Sequence, residues 1–149
     1  MVRRRFLRSV LMTAIAPGAV ARAVGAREHV RTWLVPVEGG GHYTNVSASG
    51  LAETLAEKDF TLVNVHVPYE GDIPGTDLSI PFDQVTANLA RLPADRGAKL
   101  VLYCRSGRMS DIAARTLVKL GFRNVWNVDG GMIAWEEAGY PLVRVRSAP

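Results

Sequence analysis

The sequence predicts an α/β domain built on a mostly parallel sheet, and three observations carry that prediction. Short apolar or β-branched runs at residues 61–66, 100–103 and 124–128 have the length and character of strands buried on both faces. Stretches with helical spacing alternate with these runs, and Gly, Pro and Asp punctuate the junctions. In such a sheet, ligands lie beyond the carboxyl ends of the strands. Three loops meet that condition: those after His66, Cys104 and Val128.

At 149 residues the chain has room for one domain with its own core. Its formal charge of +4 invites a nucleic-acid reading, but the source of the charge argues against one. Arg3, Arg4, Arg5, Arg8 and Arg22 lie before the first acidic residue, Glu28, and beyond residue 23 the 14 acidic residues face 13 basic ones. The first 23 residues read as a cleavable export signal. A basic n-region precedes a modest apolar segment, Val10–Ala16, then Pro17-Gly18 and a small-x-small site at Ala21-Arg22-Ala23. Cleavage is expected after Ala21 or Ala23. Arg3-Arg4-Arg5-Phe6-Leu7-Arg8 resembles the twin-arginine pattern, which implies export to the periplasm or another extracytoplasmic space. The apolar segment is shorter than the roughly 20 residues a stable span takes, so no membrane span is expected after cleavage.

Residues 24–45 are read as an N-terminal extension and 46–145 as the domain. Within the extension, residues 32–35 suit a short edge strand, and residues 39–43 read as a glycine-rich loop. Val46 opens the core, and Ser47 or Ser49 caps a short helix that buries Leu51 and Leu55. The strand at 61–66 stops at Pro68, and residues 78–80 form a short strand. A helix with Val85, Leu89 and Leu92 at helical spacing runs to Pro93. After the strand at 100–103 comes a helix starting at Ser110, with Ile112, Leu117 and Leu120 as its stripe and Gly121 as its stop. The strand at 124–128, the Asp129-Gly130-Gly131 turn and a helix over 132–138 complete the chain. Trp33, Trp126 and Trp135 read as packing residues.

The one cysteine, Cys104, sits in the loop between a buried strand and a helix. Such a loop aims backbone N–H groups inward, the helix dipole adds partial positive charge, and Gly107 lets the chain turn with φ > 0. Arg105 and Arg108 add two permanent cations. The design suits an anionic, nucleophilic sulfur that handles an anionic partner. An exported chain with one cysteine also has no intramolecular disulfide to make, so the thiol is worth keeping for its chemistry.

Residues 46–143 resemble the rhodanese-like (sulfurtransferase) family. The marks are Gly71-Asp-Ile-Pro-Gly75 with Pro81 following, Val101-Leu-Tyr-Cys104-Arg-Ser-Gly-Arg108, Leu120-Gly-Phe-Arg-Asn-Val125, and Gly130-Gly-Met-Ile-Ala-Trp135 leading into Ala138-Gly-Tyr-Pro141. The resemblance implies a doubly wound α/β domain with a mostly parallel five-stranded sheet flanked by helices. It implies that Cys104 takes sulfane sulfur from a donor such as thiosulfate as a persulfide and passes it to cyanide, a thiol or a protein acceptor. Arg105, Ser106, Gly107, Arg108, Met109 and Ser110 would bind the donor and stabilise the anions. No metal or organic cofactor is implied. Where the family carries Asp-Val-Arg, this chain has Asn64-Val65-His66, so the acid–cation pair to the neighbouring loops is lost. Glu70 is an accessory candidate as a loop-anchoring acid, and Met109 makes the loop wall more apolar.

His66 reads either as a titrating accessory group beside the Cys104 loop or as a hydrogen-bonded rim histidine. His29, His42 and His66 lack metal-ligand spacing. Two other functions compete with catalysis. A sulfur-carrier or partner-binding module with little turnover would fit the altered triplet. A phosphatase or arsenate reductase needs Cys-x5-Arg, and position 110 is serine.

Overall fold

The computed structural model describes residues 31–144. The export signal expected at 1–23, residues 24–30 and Val145 lie outside the described residues. The elements run β1 (Thr32–Pro36), β2 (His42–Val46), α1 (Ala48–Leu55), β3 (Thr61–Asn64) and β4 (Leu78–Ser79). A 3-10 segment (Thr86–Arg91) follows, then β5 (Leu100–Tyr103), α2 (Arg108–Lys119), β6 (Val125–Val128) and α3 (Gly131–Glu137). They build one six-stranded sheet in the order β1-β2-β6-β5-β3-β4. Every pairing is parallel except β1 with β2, a hairpin that adds an antiparallel edge.

The strand count is therefore six rather than five. Residues 32–46 are two strands of the same sheet, and β2 joins β6 in register Thr44↔Trp126 to Val46↔Val128. His42 and Tyr43, read as loop, belong to β2, and residues 37–41 turn the hairpin, closed by hydrogen bonds of Val37 with Gly40 and Gly41.

Both faces of the sheet are covered, which is why β3 and β5 read as continuous apolar runs. Leu100 and Leu102 point to one face and pack with Val63, Val65, Ala113, Ala114 and Leu117 under α2. Val101 and Tyr103 point to the other and pack with Leu51, Ile73, Met132 and Trp135 under α1 and α3. Alternation along one strand thus feeds two cores, each fully buried side chain contributing about 1.5–3 kcal/mol. Ser47 caps α1 by accepting the Gly50 N–H at 3.1 Å.

Two helix expectations need correction. On α2 the buried stripe is Ser110, Ala113, Ala114 and Leu117, while Ile112 and Leu120 are exposed. Small residues face the sheet there, so helix and strand approach closely. The segment at 85–92 is a kinked 3-10 stretch, because Asn88 leaves helical geometry (φ −114°, ψ 20°). Val85 and Leu92 still reach the core. Of the three tryptophans, Trp135 is buried, Trp126 half-buried, and Trp33 lies exposed on the edge strand.

Candidate active site

The site lies where β5 ends and α2 begins. Cys104 follows the central strand, is buried, and leaves the sheet toward the α2 face. Its Sγ accepts the Gly107 N–H at 3.0 Å and lies 3.4 Å from the Ser110 hydroxyl. Ser110 Oγ is also 3.2 Å from the Gly107 carbonyl, so its single proton chooses between sulfur and oxygen. Gly107 takes φ 101°, as the turn demands.

Gly107, not Ser110, is the N-cap of α2, and the helix begins at Arg108. A serine side chain ordinarily satisfies the first free N–H of a helix. Here the cysteine sulfur accepts the N–H of the N-cap residue itself and no side chain caps the first turn, so the helix starts earlier than the serine's capping signal suggests. Ser110 instead lies inside the first turn, completely buried, with its hydroxyl on the sulfur. The first-turn N–H groups of Arg108 and Met109 have no partner further back in the helix and complete a positive pole beside Sγ.

The outside of the loop is braced by α3. The Met132 N–H donates to the Cys104 carbonyl at 2.9 Å, and the Ile133 N–H donates to the Arg105 carbonyl at 3.0 Å. With these carbonyls held outward, the loop's N–H groups are left on the sulfur side. Gly131 makes the approach possible. It sits at φ 57°, and a Cβ there would stand 2.3 Å from the Cys104 oxygen and 2.7 Å from the Arg105 oxygen. The sequence marks Gly130-Gly131 only as a tight turn. A double glycine opening a helix, opposite a loop that must expose N–H groups, is the signal that locates this contact.

The rim is made of charges. Arg105 is half exposed and its Nη1 donates to Glu70 Oε2 at 3.2 Å. The same oxygen stands 2.8 Å from His66 Nε2, off the line of a hydrogen bond. Burial raises the Glu70 carboxyl's pKa; the Arg105 hydrogen bond and charge, with His66 behind them, outweigh it and hold the group below the usual carboxylate range. Ser106 and Arg108 are exposed, and Arg108 has no ion-pair partner among the described residues. Met109 is partly buried against the α2-side core, so its apolar side chain supports the loop from within.

The altered triplet ties the neighbouring loop by another route than an acid–cation pair. Asn64 is fully buried, and its Nδ2 donates to the Gly71 carbonyl and to Asp72 Oδ1, both at 2.9 Å. Its Oδ1 accepts the His66 N–H at 3.0 Å. Asp72 also accepts from Tyr69, and the Ile73 N–H donates to the Tyr103 hydroxyl at 3.0 Å. A neutral amide thus closes the loop that lines one side of the mouth.

A second brace lies one turn along α2. Tyr43 donates a short hydrogen bond to Asp111, which pairs with Arg115 Nε at 3.0 Å. Burial and the Asp111 hydrogen bond push Tyr43 up to about 12. Burial opposes ionisation of Asp111, but the Arg115 and Tyr43 hydrogen bonds prevail and lower its pKa. Asp111 and Arg115 are legible in sequence as an i,i+4 pair; the partner from β2 is not. Among the described residues no three His, Cys, Asp or Glu side chains gather as metal ligands, and no helix is long and apolar enough to cross a membrane.

The family model for the rhodanese-like domain matches residues 47–138, a span holding Cys104, its loop and the rim residues His66, Glu70, Arg105 and Arg108. A sulfurtransferase of Allochromatium vinosum is 35% identical over 102 residues, covering 66% of this chain and 92% of its own length. The thiosulfate sulfurtransferase GlpE of Pseudoalteromonas translucida is 30% identical over 101 residues, 64% of this chain and 91% of that protein. Among solved structures, a rhodanese-related protein of Thermoplasma volcanium superposes with a TM-score of 0.59 at 31% identity, covering 68% of this chain and 98% of that one. A match across more than half the chain, with sulfurtransferases among its relatives, places this protein in the rhodanese-like domain family.

Proposed function

We propose that the protein moves sulfane sulfur through a persulfide on Cys104, taking it from a small anionic donor such as thiosulfate. One observation carries this reading: a buried sulfur held at 3.0 Å by the Gly107 N–H, at the positive end of α2. The Cys104 thiolate attacks the outer sulfur of thiosulfate. The donor's S–S bond breaks, and its electron pair leaves with sulfite. Arg105 and Arg108 draw the dianion in and stabilise the departing sulfite. Gly107 N–H and Ser110 Oγ–H stabilise the anion on the protein side. Cyanide or a thiolate then attacks the outer persulfide sulfur, the bond to Cys104 breaks, and the thiolate is restored. Both steps are displacements at sulfur and draw on the loop's own groups.

The arginine cluster at residues 3–8 supports a working site outside the cytoplasm, reached by the twin-arginine route. Intact mass of the purified mature protein tests both parts. Thiosulfate should add about 32 Da, one sulfur, in a persulfide that cyanide removes and that Cys104→Ser never forms. No adduct with thiosulfate or polysulfide would overturn the catalytic reading and favour a sulfur- or partner-binding module. The same spectrum reads the N-terminus, expected at Arg22 or Val24.

A further inference from the structure

His66 is the buried titratable group at the mouth that the displacement steps leave unused. Its side chain is 9% exposed, and both ring nitrogens are enclosed without an aligned hydrogen bond. Nε2 lies 2.8 Å from Glu70 Oε2, the oxygen that also accepts from Arg105 Nη1 at 3.2 Å. The β3–β5 register ends at Asn64↔Tyr103, and the Val65 N–H still bonds the Tyr103 carbonyl. Two residues further along each chain, His66 and Arg105 stand side by side. One carboxylate oxygen therefore faces both a permanent cation and an imidazole.

We propose that His66 is a positioning residue which, through Glu70, sets the hold on Arg105 and with it the affinity for the anionic donor. This rests on the donor reading above. With the imidazole neutral, Glu70 and Arg105 cancel, and the mouth keeps only the charge of Arg108. With the imidazolium present, Glu70 is shared, its grip on Arg105 loosens, and the mouth gains one positive charge. For a dianion several ångströms away at a water-like dielectric, that charge is worth about fivefold in affinity. Donor binding is therefore tighter with the imidazolium than with the neutral imidazole.

The other charged groups nearby do not reproduce this effect. Arg144 donates to the Glu70 backbone carbonyl at 3.1 Å and pairs with Glu136, so its charge is already engaged. Asp72 is engaged by Asn64 and Tyr69. Across β3, the Phe82 N–H bonds the Val65 carbonyl, and the adjacent Asp83 is solvent-exposed.

The test is the KM for thiosulfate across about pH 5 to 8, the range in which imidazole changes charge. In the native protein KM should rise about fivefold with pH. His66→Gln should give a KM that is high and flat; His66→Arg, a fixed cation, should give one that is low and flat. A flat native KM, or a native-like rise retained in His66→Gln, overturns the proposal. A second readout needs no turnover: the Arg105 Nε–H resonance in Cys104→Ser. It should move with pH over the same range and stay still once Glu70→Gln is added. A resonance that ignores pH while Glu70 is present overturns the proposal. If no persulfide forms at all, the donor reading falls alone, and this resonance still decides the role of His66.

Discussion

The floor and the rim of the site are built from different forces. The floor is Cys104, Gly107 and Ser110, with Gly131 behind them. Its geometry comes from backbone hydrogen bonds of 2.9–3.0 Å and from steric contact, in a region where Cys104 and Ser110 are 1% and 0% exposed. The rim is Arg105, Glu70, His66 and Arg108, with Arg105 and Glu70 side chains 53% and 37% exposed. Exposed ion pairs are weak, are screened by salt and respond to pH; buried backbone contacts are none of these. In the function proposed above, the floor would therefore govern whether the sulfur reacts, and the rim which donor arrives and how tightly.

Breaking the floor should cost the most. Gly131→Ala puts a Cβ 2.3 Å from the Cys104 carbonyl oxygen, at a φ of 57° that an L side chain also resists. Overpacking and left-handed strain together cost about 3 kcal/mol. Urea denaturation should show that loss, and persulfide formation should fall further still, since α3 no longer holds the loop carbonyls outward. Native-like stability in this variant would show that α3 is not the brace. Ser110→Ala is the milder version. It removes one donor to the sulfur and should slow persulfide formation by roughly tenfold, the value of a hydrogen bond to a charged group. Unfolding should shift little, because the replacement fits the same buried space. An unchanged rate would assign the hydroxyl to the Gly107 carbonyl instead.

The same division explains what the sequence made legible. The strand at 100–103, the run at 61–66 (of which β3 takes Thr61–Asn64), the loop that follows Cys104 and the positive φ of Gly107 are local consequences of residue type. They could be read directly. The start of α2 could not, because its N-cap is Gly107, with no capping side chain, rather than the serine that capping preferences favour. Residues 32–35 read as an edge strand, as β1 is, but β2 was hidden because pairing with β1 and β6 specifies it, while its first residues follow glycines and read as loop. Gly131 was visible as a turn, but its contact with the Cys104 carbonyl lies 27 residues away in sequence and depends on α3 docking. The Asn64 substitution read as a lost ion pair; only the fold shows three hydrogen bonds on that side chain.

The Tyr43–Asp111–Arg115 brace stands between floor and rim, and its pH response separates the two. Asp111 follows the buried Ser110 on α2, yet its side chain is about one-third exposed and its hold on Arg115 is electrostatic. Because the folded state depresses the Asp111 pKa, the brace stabilises the protein above the ordinary carboxyl value of 3.8. That contribution is lost as pH falls below it. At the alkaline end Tyr43 is raised from 10.0 to about 12, so its share is intact below pH 10 and lost as pH climbs toward 12. Solvent screening keeps the acid-side contribution below about 1 kcal/mol. In Asp111→Asn the urea midpoint should drop slightly at pH 7 and converge with the native value as pH falls below 3.8. A midpoint gap that persists in acid would mean that Asp111 acts through packing. The electrostatic layer would then end at the rim, with α2 held to β2 by shape alone.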